Sequence, residues 1–344
     1  MTYLILRLTS LGNVAMTAPV VASLSRRYEK DQFVIVAKKK LDAMFYGLDN
    51  VHYHGVAESV GKGLKGLIPL WRELKKYHAD VVVDLQDSLF TRCLRDLFFL
   101  HGVRAYGIRY GRPEKWNLIR KGHKYAGALK TEFERYEETF RRAGLTMDTE
   151  FDALAIHAEA RQIVANRFGE KTGRWIGIAP FAKSKSNMLP YRLTKELIQH
   201  YSEQTNTQVY LFGAGKVESE MLNQWATIFP NVSCVAGQLQ LSEELELMRH
   251  LDVMICMDSA NQHLASLVKL KTVSIWCGTH TKMGFRAWKQ GEDSVVERID
   301  LKCRPCTIHG TNSCLYRNFA CRDISVNDII QRVEDTLDNI SNEN

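Results

Sequence analysis

Short apolar, β-branched runs alternate with helix-length amphipathic segments along most of this 344-residue chain, and the alternation occurs twice. In the first half the runs fall at 3–8, 33–37, 81–85 and 103–108. In the second they fall at 175–179, 208–213, 232–236, 252–258 and 272–277. Apolar strands joined by helical crossovers are buried on both faces, so the pattern predicts two parallel, doubly wound α/β sheets. Residues 159–168 read as a helix and Gly169-Glu170-Lys171-Thr172-Gly173 as a polar linker, which predicts domains over 1–168 and 169–344. Two Rossmann-like sheets facing a cleft would bring their strand tips, and hence their ligand sites, to it. A last helix is expected over 325–340, with Val326, Ile329, Ile330, Val333 and Leu337 on its apolar face.

Two strand-to-helix turns carry the candidate chemistry. Val253-Met254-Ile255-Cys256-Met257 runs into Asp258-Ser259-Ala260-Asn261-Gln262-His263-Leu264-Ala265, which reads as a buried strand ending at a carboxylate with a helix starting at once. The first amides of such a helix are unpaired and its positive end suits a phosphate or diphosphate. An ordinary N-capped turn gives the same local pattern. The second turn follows Tyr3-Leu4-Ile5-Leu6-Arg7-Leu8 and contains Ser10, Gly12 and Asn13, then Ala15, Ala18 and Ala22, whose small side chains permit close packing on a sheet. Pro19 predicts a kink or a later helix start there. Neither a G-x-G-x-x-G nor a Walker-type loop is present, which disfavours common dinucleotide and NTP-hydrolysing sites.

Composition sets the class. Apolar residues make up 45% and charged residues 25%, as in globular proteins that bury a core, and the length suits two domains. Arg7 interrupts the only early apolar run, and no run reaches the roughly 18 residues that span a bilayer, so a cytoplasmic protein is expected. A net charge of +7 suits an anionic substrate or a membrane face rather than nucleic acid. Lys62, Lys65, Arg72, Lys75 and Lys76 form the densest basic cluster of the first half, fit to lie beside a phosphorylated acceptor at the inner face of the cytoplasmic membrane. Arg104, Arg109 and Arg112 form a second candidate anion-binding group, and Trp276 with Gly278, Thr279 and His280 a candidate nucleoside lining. Cys303, Cys306, Cys314 and Cys321 are spaced for a tetrahedral structural zinc, in a compartment that disfavours disulfides. Such a metal would staple a loop and leave no open position for chemistry.

The motifs resemble glycosyltransferase family 9, the lipopolysaccharide heptosyltransferases, over most of the chain. Arg7-Leu8-Thr9-Ser10-Leu11-Gly12-Asn13 and Thr17-Ala18-Pro19 are similar to the family's opening motif. Met257 to Ala265 is similar to its Asp-Thr/Ser-Gly-x-x-His-Leu-Ala signature, and Leu211-Phe212-Gly213-Ala214-Gly215-Lys216-Val217-Glu218 to a Gly-rich turn whose glutamate meets the donor nucleoside. The resemblance implies a two-domain GT-B fold and no catalytic cofactor. It further implies an ADP-heptose-like nucleotide-diphosphate sugar donor on the second domain, and a lipopolysaccharide core or similar glycan acceptor on the first. Donor contacts are then expected from Lys183, Lys185, Asn187, Gly213, Glu218, Asp258, Ser259, Ala260 and His263. Acceptor contacts are expected from Ser10, Gly12, Lys62, Lys65 and Arg109.

Three positions depart from the family pattern. Asn13 stands where the family has its Asp general base, and an amide cannot take a proton at neutral pH, so Asn13 is left with an orienting role. Asp84 and Asp87, after Val81-Val82-Val83, are replacement bases if they face the acceptor, and turn caps otherwise. Asn187 stands where the family has a Lys for the departing diphosphate, with Lys183 and Lys185 nearby, and Ala260 replaces the signature glycine. Inverting sugar transfer needs an acceptor nucleophile, a stabilised oxocarbenium-like centre and a stabilised leaving diphosphate. Two other functions share these features: a donor- or glycan-binding protein without turnover, and a sugar-nucleotide epimerase.

Overall fold

The computed structural model describes residues 1–120, 127–147 and 151–343. Two compact units form, Met1–Gly111 with Lys130–Ala155, and Arg112–Leu129 with Ile156–Asn344.

In the first unit β1 (Thr2–Leu6), β2 (Gln32–Lys38), β3 (Val51–Val56), β4 (Val81–Asp84) and β5 (Arg104–Gly107) form one parallel sheet ordered β3-β2-β1-β4-β5. The central strands are the apolar runs expected from the sequence. The additional strand, β3, has the sequence Val-His-Tyr-His-Gly-Val and lies at the sheet edge, where only some of its side chains need be buried. After β1 come α1 (Leu11–Ala15) and α2 (Ala18–Arg27), so the helix restarts with Pro19 in its first turn, where a missing N–H costs nothing. On one face α3 (Leu67–Leu74) and α4 (Leu89–Leu100) cover the sheet, with Leu70, Leu74, Phe90, Leu94 and Phe98 packed on Leu4, Leu6, Val34, Val36 and Val82.

A short helix, α5 (Arg112–Ile119), belongs to the second unit, where Leu118 packs with Leu129 and Met283. The chain then returns to the first unit for α6 (Glu132–Arg142), whose Tyr136 and Phe140 are fully buried. The next helix, α7 (Ala158–Phe168), packs on α10 (Leu241–His250) and so lies in the second unit. The expected division at 168/169 therefore falls after this helix, whereas the chain passes between units just before it.

The second sheet is also parallel. It comprises β6 (Arg174–Ala179), β7 (Thr207–Leu211), β8 (Val232–Cys234), β9 (Val253–Met257), β10 (Thr272–Trp276) and β11 (Val295–Glu297), ordered β11-β10-β9-β6-β7-β8. The crossovers are α8 (Tyr191–Ser202), α9 (Lys216–Ile228), α10 and α11 (Ala260–Leu267), and α12 (Val326–Glu343) packs Val326, Ile329, Val333 and Leu337 into the same core. The chain moves outward from β6 through β7 to β8, then starts again at β9 and moves the other way. The loops after β6 and β9 therefore part, and a crevice opens at their C-terminal ends. The first sheet has the same switch between β1 and β4.

Candidate functional site

At the switch of the second sheet Asp258 follows β9 directly, and its main-chain N–H continues the ladder by donating to Ile275 O at 3.0 Å. Three side chains converge on its carboxylate. The Thr279 hydroxyl donates to Oδ2 at 2.6 Å, Asn187 Nδ2 to Oδ2 at 3.4 Å, and Gln262 Nε2 to Oδ1 at 3.1 Å. Burial pushes the carboxyl up to about 6, against the lowering effect of Thr279 and Gln262. Asn187 is 4% exposed, so it is part of the site floor rather than a solvated amide.

Ser259 is the N-cap of α11, yet its side chain caps nothing, and its buried hydroxyl has no hydrogen-bond partner among the described residues. One turn on, His263 is 6% exposed and its Nδ1 also lacks a partner among the described residues. Desolvation holds this imidazole down to about 4, so it is neutral at pH 7. Buried polar atoms are normally paired, and two unpaired ones on the first turn of a helix with free amides make a site that favours an oxygen-rich anion. Ala260 occupies the first helical position between them.

The remaining donor-side expectations divide. Lys183 and Lys185 are exposed, and Lys185 Nζ lies 4.9 Å from the Phe319 ring centroid. Glu218 Oε2 accepts from Ala214 N at 2.9 Å, closing the turn that starts α9, and sits beside Gly213. Trp276, expected to line a nucleoside pocket, is instead fully buried and donates to Ser274 Oγ at 3.0 Å, because an apolar ring at the end of a central strand belongs to the core.

The loop carrying the four cysteines folds against this site. Ser186 N donates to Thr311 O at 3.0 Å, Thr311 N to Ser186 Oγ at 2.8 Å, and Lys185 N to Asn312 Oδ1 at 2.8 Å. Gly310 has φ +91°, and a Cβ there would stand 2.5 Å from Asn187 Oδ1. All eight cysteines are free thiols. Cys321 is pushed up to about 11, first by burial and then by the charges of Cys306, Cys303 and Cys314. Among the described residues no group of three or more His, Cys, Asp or Glu is placed to hold a metal ion.

At the first unit's switch, Arg7 is the bridging group. Its buried guanidinium donates to Leu85 O, to the Tyr110 hydroxyl and, at 2.7 Å, to the Tyr136 hydroxyl, while Nε reaches Asn13 O at 3.4 Å. A cation so placed ties the loop after β1 to the loop after β4. Asn13 is half-buried and donates to Ser10 Oγ at 3.2 Å, with Ser10 exposed and Gly12 half-buried beside it.

The two carboxylates expected as replacement bases serve the local structure instead. Asp84 is 0% exposed, and its Oδ1 accepts from Gln86 N and Asp87 N, both at 2.9 Å. Asp87 is held by Arg92 through two bonds of 2.6 Å. A carboxylate that caps a turn below the surface, or is clasped by a guanidinium, is poorly placed to take an acceptor proton. Lys62, Lys65 and Arg109 are exposed. Arg104 begins β5 while Arg109 lies beyond its other end, so these two arginines do not form one anion site.

Gln262, Arg304, Gly310 and Ser186 complete the donor-side geometry without having been singled out. Only Gln262 carried a signal, since it lies four residues after Asp258 at the spacing that brings side chains together on a helix.

A family model described as glycosyltransferase family 9 (heptosyltransferase) matches residues 67–314. Among curated proteins, lipooligosaccharide heptosyltransferase 2 of Campylobacter jejuni is 22% identical over 339 residues, covering 96% of this chain and 97% of the relative. Among solved structures, Escherichia coli ADP-heptose lps heptosyltransferase II superposes with a TM-score of 0.72 at 18% identity, covering 100% of both chains. A glycosyl transferase family 9 protein of Veillonella parvula gives 0.75 at 17% identity, covering 98% of this chain and 97% of that one. The shared fold is the two Rossmann-like units of GT-B enzymes.

Proposed function

We propose, from the premise that this chain belongs to glycosyltransferase family 9, that it is an inverting heptosyltransferase whose donor diphosphate binds at the start of α11. Names of the relatives point to ADP-heptose as donor and to a lipopolysaccharide or lipooligosaccharide core as acceptor. The observation that carries the reading is the pair of unpartnered buried atoms, Ser259 Oγ and His263 Nδ1, on a helix start that no side chain caps.

In this reading the α11 amides, Ser259 and neutral His263 hydrogen-bond the diphosphate oxygens, and negative charge growing on the leaving group strengthens those bonds. Lys183 and Lys185 add positive charge from the loop after β6. Ionised Asp258 lies beside the anomeric carbon and steadies its developing positive charge, while Glu218 and Gly213 border the nucleoside. Positive charge on the leaving-group side comes from the chain itself. The sugar passes to an acceptor hydroxyl held by the first unit, where Asn13, Ser10 and Gly12 orient it and Lys62, Lys65 and Arg109 meet its anionic groups. Because no helix among the described residues is long and apolar enough to cross a membrane, a lipid-borne acceptor would be met by peripheral contact at the inner membrane face.

Family membership favours transfer over epimerisation. A transfer assay with ADP-heptose and a heptose-deficient core acceptor tests the reading. Expected is acceptor-dependent release of ADP with inversion at the anomeric carbon. Tight ADP binding with no transfer would show a donor-binding protein without turnover, and conversion of donor without acceptor would show epimerisation or hydrolysis.

A further inference from the structure

Among the donor-side side chains, Thr279 makes the shortest bond to Asp258, and the turn that carries it is held from both sides. That turn, 277–280, leaves the tip of β10 with Gly278 at its centre. On one side Gly278 N donates to Ser186 O at 2.8 Å, and a Cβ at 278 would stand 2.7 Å from Ser186 Cβ. On the other side lies Arg304, from the Cys303-Arg304-Pro305-Cys306 segment. It is 5% exposed, and its Nη2 donates to Trp276 O at 2.8 Å, just before the turn, and to Thr279 O at 2.7 Å, within it. The same nitrogen meets Glu297 Oε2 at 2.8 Å, and Nη1 donates to Arg298 O. Glu297 in turn accepts from Thr281 Oγ1 at 3.1 Å and lies 3.4 Å from His280 Nδ1, so one carboxylate at the end of β11 anchors both the arginine and the far side of the turn.

We propose that Arg304 is a positioning residue for sugar transfer, fixing the turn after β10 so that the Thr279 hydroxyl stays on Asp258. The Nη donors are taken by these four acceptors, and Nε, without a partner among the described residues, is itself buried, so Arg304 acts through Thr279. The planar fork matters because Nη1 holds Arg298 O while Nη2 meets the other three acceptors, a spread that a single ammonium nitrogen does not span. This inference rests on the reading that Asp258 and the start of α11 form the donor site.

The test uses the full chain, with Arg304→Lys, Thr279→Val and the double variant, measuring the Kd for ADP, and the donor KM and kcat in transfer from ADP-heptose. Arg304→Lys and Thr279→Val are each expected to lower kcat about tenfold with the Kd for ADP and the donor KM changed less than about threefold, a loss of charge stabilisation rather than of binding. Because both act on one bond, the double variant is expected to lie within about threefold of Thr279→Val. Multiplied losses in the double variant, or a fall in thermal stability with kcat unmoved, would overturn the proposal. If Arg304→Lys fails to fold, Glu297→Gln keeps the arginine but weakens its anchor, and must lower kcat in the wild-type background and not in Thr279→Val. Absence of ADP binding by the wild-type chain would overturn the donor-site reading itself, whereas wild-type binding with independent losses overturns only the role of Arg304.

Discussion

Thr279 donates its hydroxyl to Asp258 at 2.6 Å, joining the turn after β10 to the tip of β9. The bond favours the ionised carboxylate that burial disfavours, and the balance places the Asp258 carboxyl at about 6. Asp258 is therefore charged at neutral pH and gains a proton as pH falls through that value. A protonated carboxyl accepts less well from Thr279, Asn187 and Gln262 and no longer faces a cationic centre with charge. Turnover of bound ADP-heptose, whose phosphates are diesters without an ionisation near 6, is expected to slow below about pH 6, because the charge lost is the one that faces the developing cation. Asp258→Asn should transfer slowly at every pH and show no such limb. His263, held down to about 4, is not the source. Measuring kcat over about pH 5 to 8 checks this, and an acid limb that survives in Asp258→Asn would assign it elsewhere.

His263 offers a test in which stability and function move apart. A buried nitrogen without a partner costs roughly 1–3 kcal/mol, so His263→Leu should leave the melting temperature unchanged or raise it. The same change removes a diphosphate contact and should weaken ADP binding about tenfold, equivalent to about 1.4 kcal/mol. Differential scanning calorimetry and titration calorimetry read the two effects. Lower stability with unchanged affinity would make His263 an ordinary core residue.

Much of this architecture was legible in the sequence, because buried parallel strands leave unbroken apolar runs and because Asp258, Ser259 and His263 sit within one local motif. β3 was not, since an edge strand such as Val-His-Tyr-His-Gly-Val keeps polar side chains and loses the run. The contacts that assemble the site were also hidden. Asn187 and Asp258 are 71 positions apart and meet only because β6 and β9 are neighbours, a fact of strand order that no local pattern encodes. The same holds for Arg304 and Thr279. Asp84 shows a further limit: its place at the end of β4 was readable, but its complete burial beneath its own turn was not.

That burial shapes a prediction for the acceptor side. Asn13 is half-buried next to exposed Ser10, whereas Asp84 is enclosed. Asn13→Asp should place a carboxylate where the acceptor hydroxyl is oriented and raise kcat for transfer by roughly tenfold or more, at the low end of what a positioned base contributes or below it. Asp84→Ala should act on folding instead, since the amides of Gln86 and Asp87 lose their acceptor at a cost of about 1–3 kcal/mol. Steady-state transfer and chemical denaturation separate the two. Transfer unchanged in a folded Asn13→Asp chain would show that this side chain does not face the acceptor.

Gly310 tests whether the cysteine-bearing loop sets the donor site. Its φ of +91° strains any residue with a Cβ, and that atom would press 2.5 Å from Asn187 Oδ1 and 2.8 Å from Ser184 Cβ. Gly144 supplies the control, with the same φ of +91° and nothing within 4 Å of its would-be Cβ. Alanine at either position should cost about 1 kcal/mol through backbone strain alone. Only Gly310→Ala should also displace Asn187, loosening its 3.4 Å bond to Asp258, and weaken ADP binding several-fold. Melting temperatures that fall in both variants, with affinity lost in Gly310→Ala alone, would tie the loop to the site through Asn187. Equal affinities in the two would mean that Asn187 yields to the methyl without disturbing Asp258, and that the loop acts on the donor site through Arg304 and Thr279.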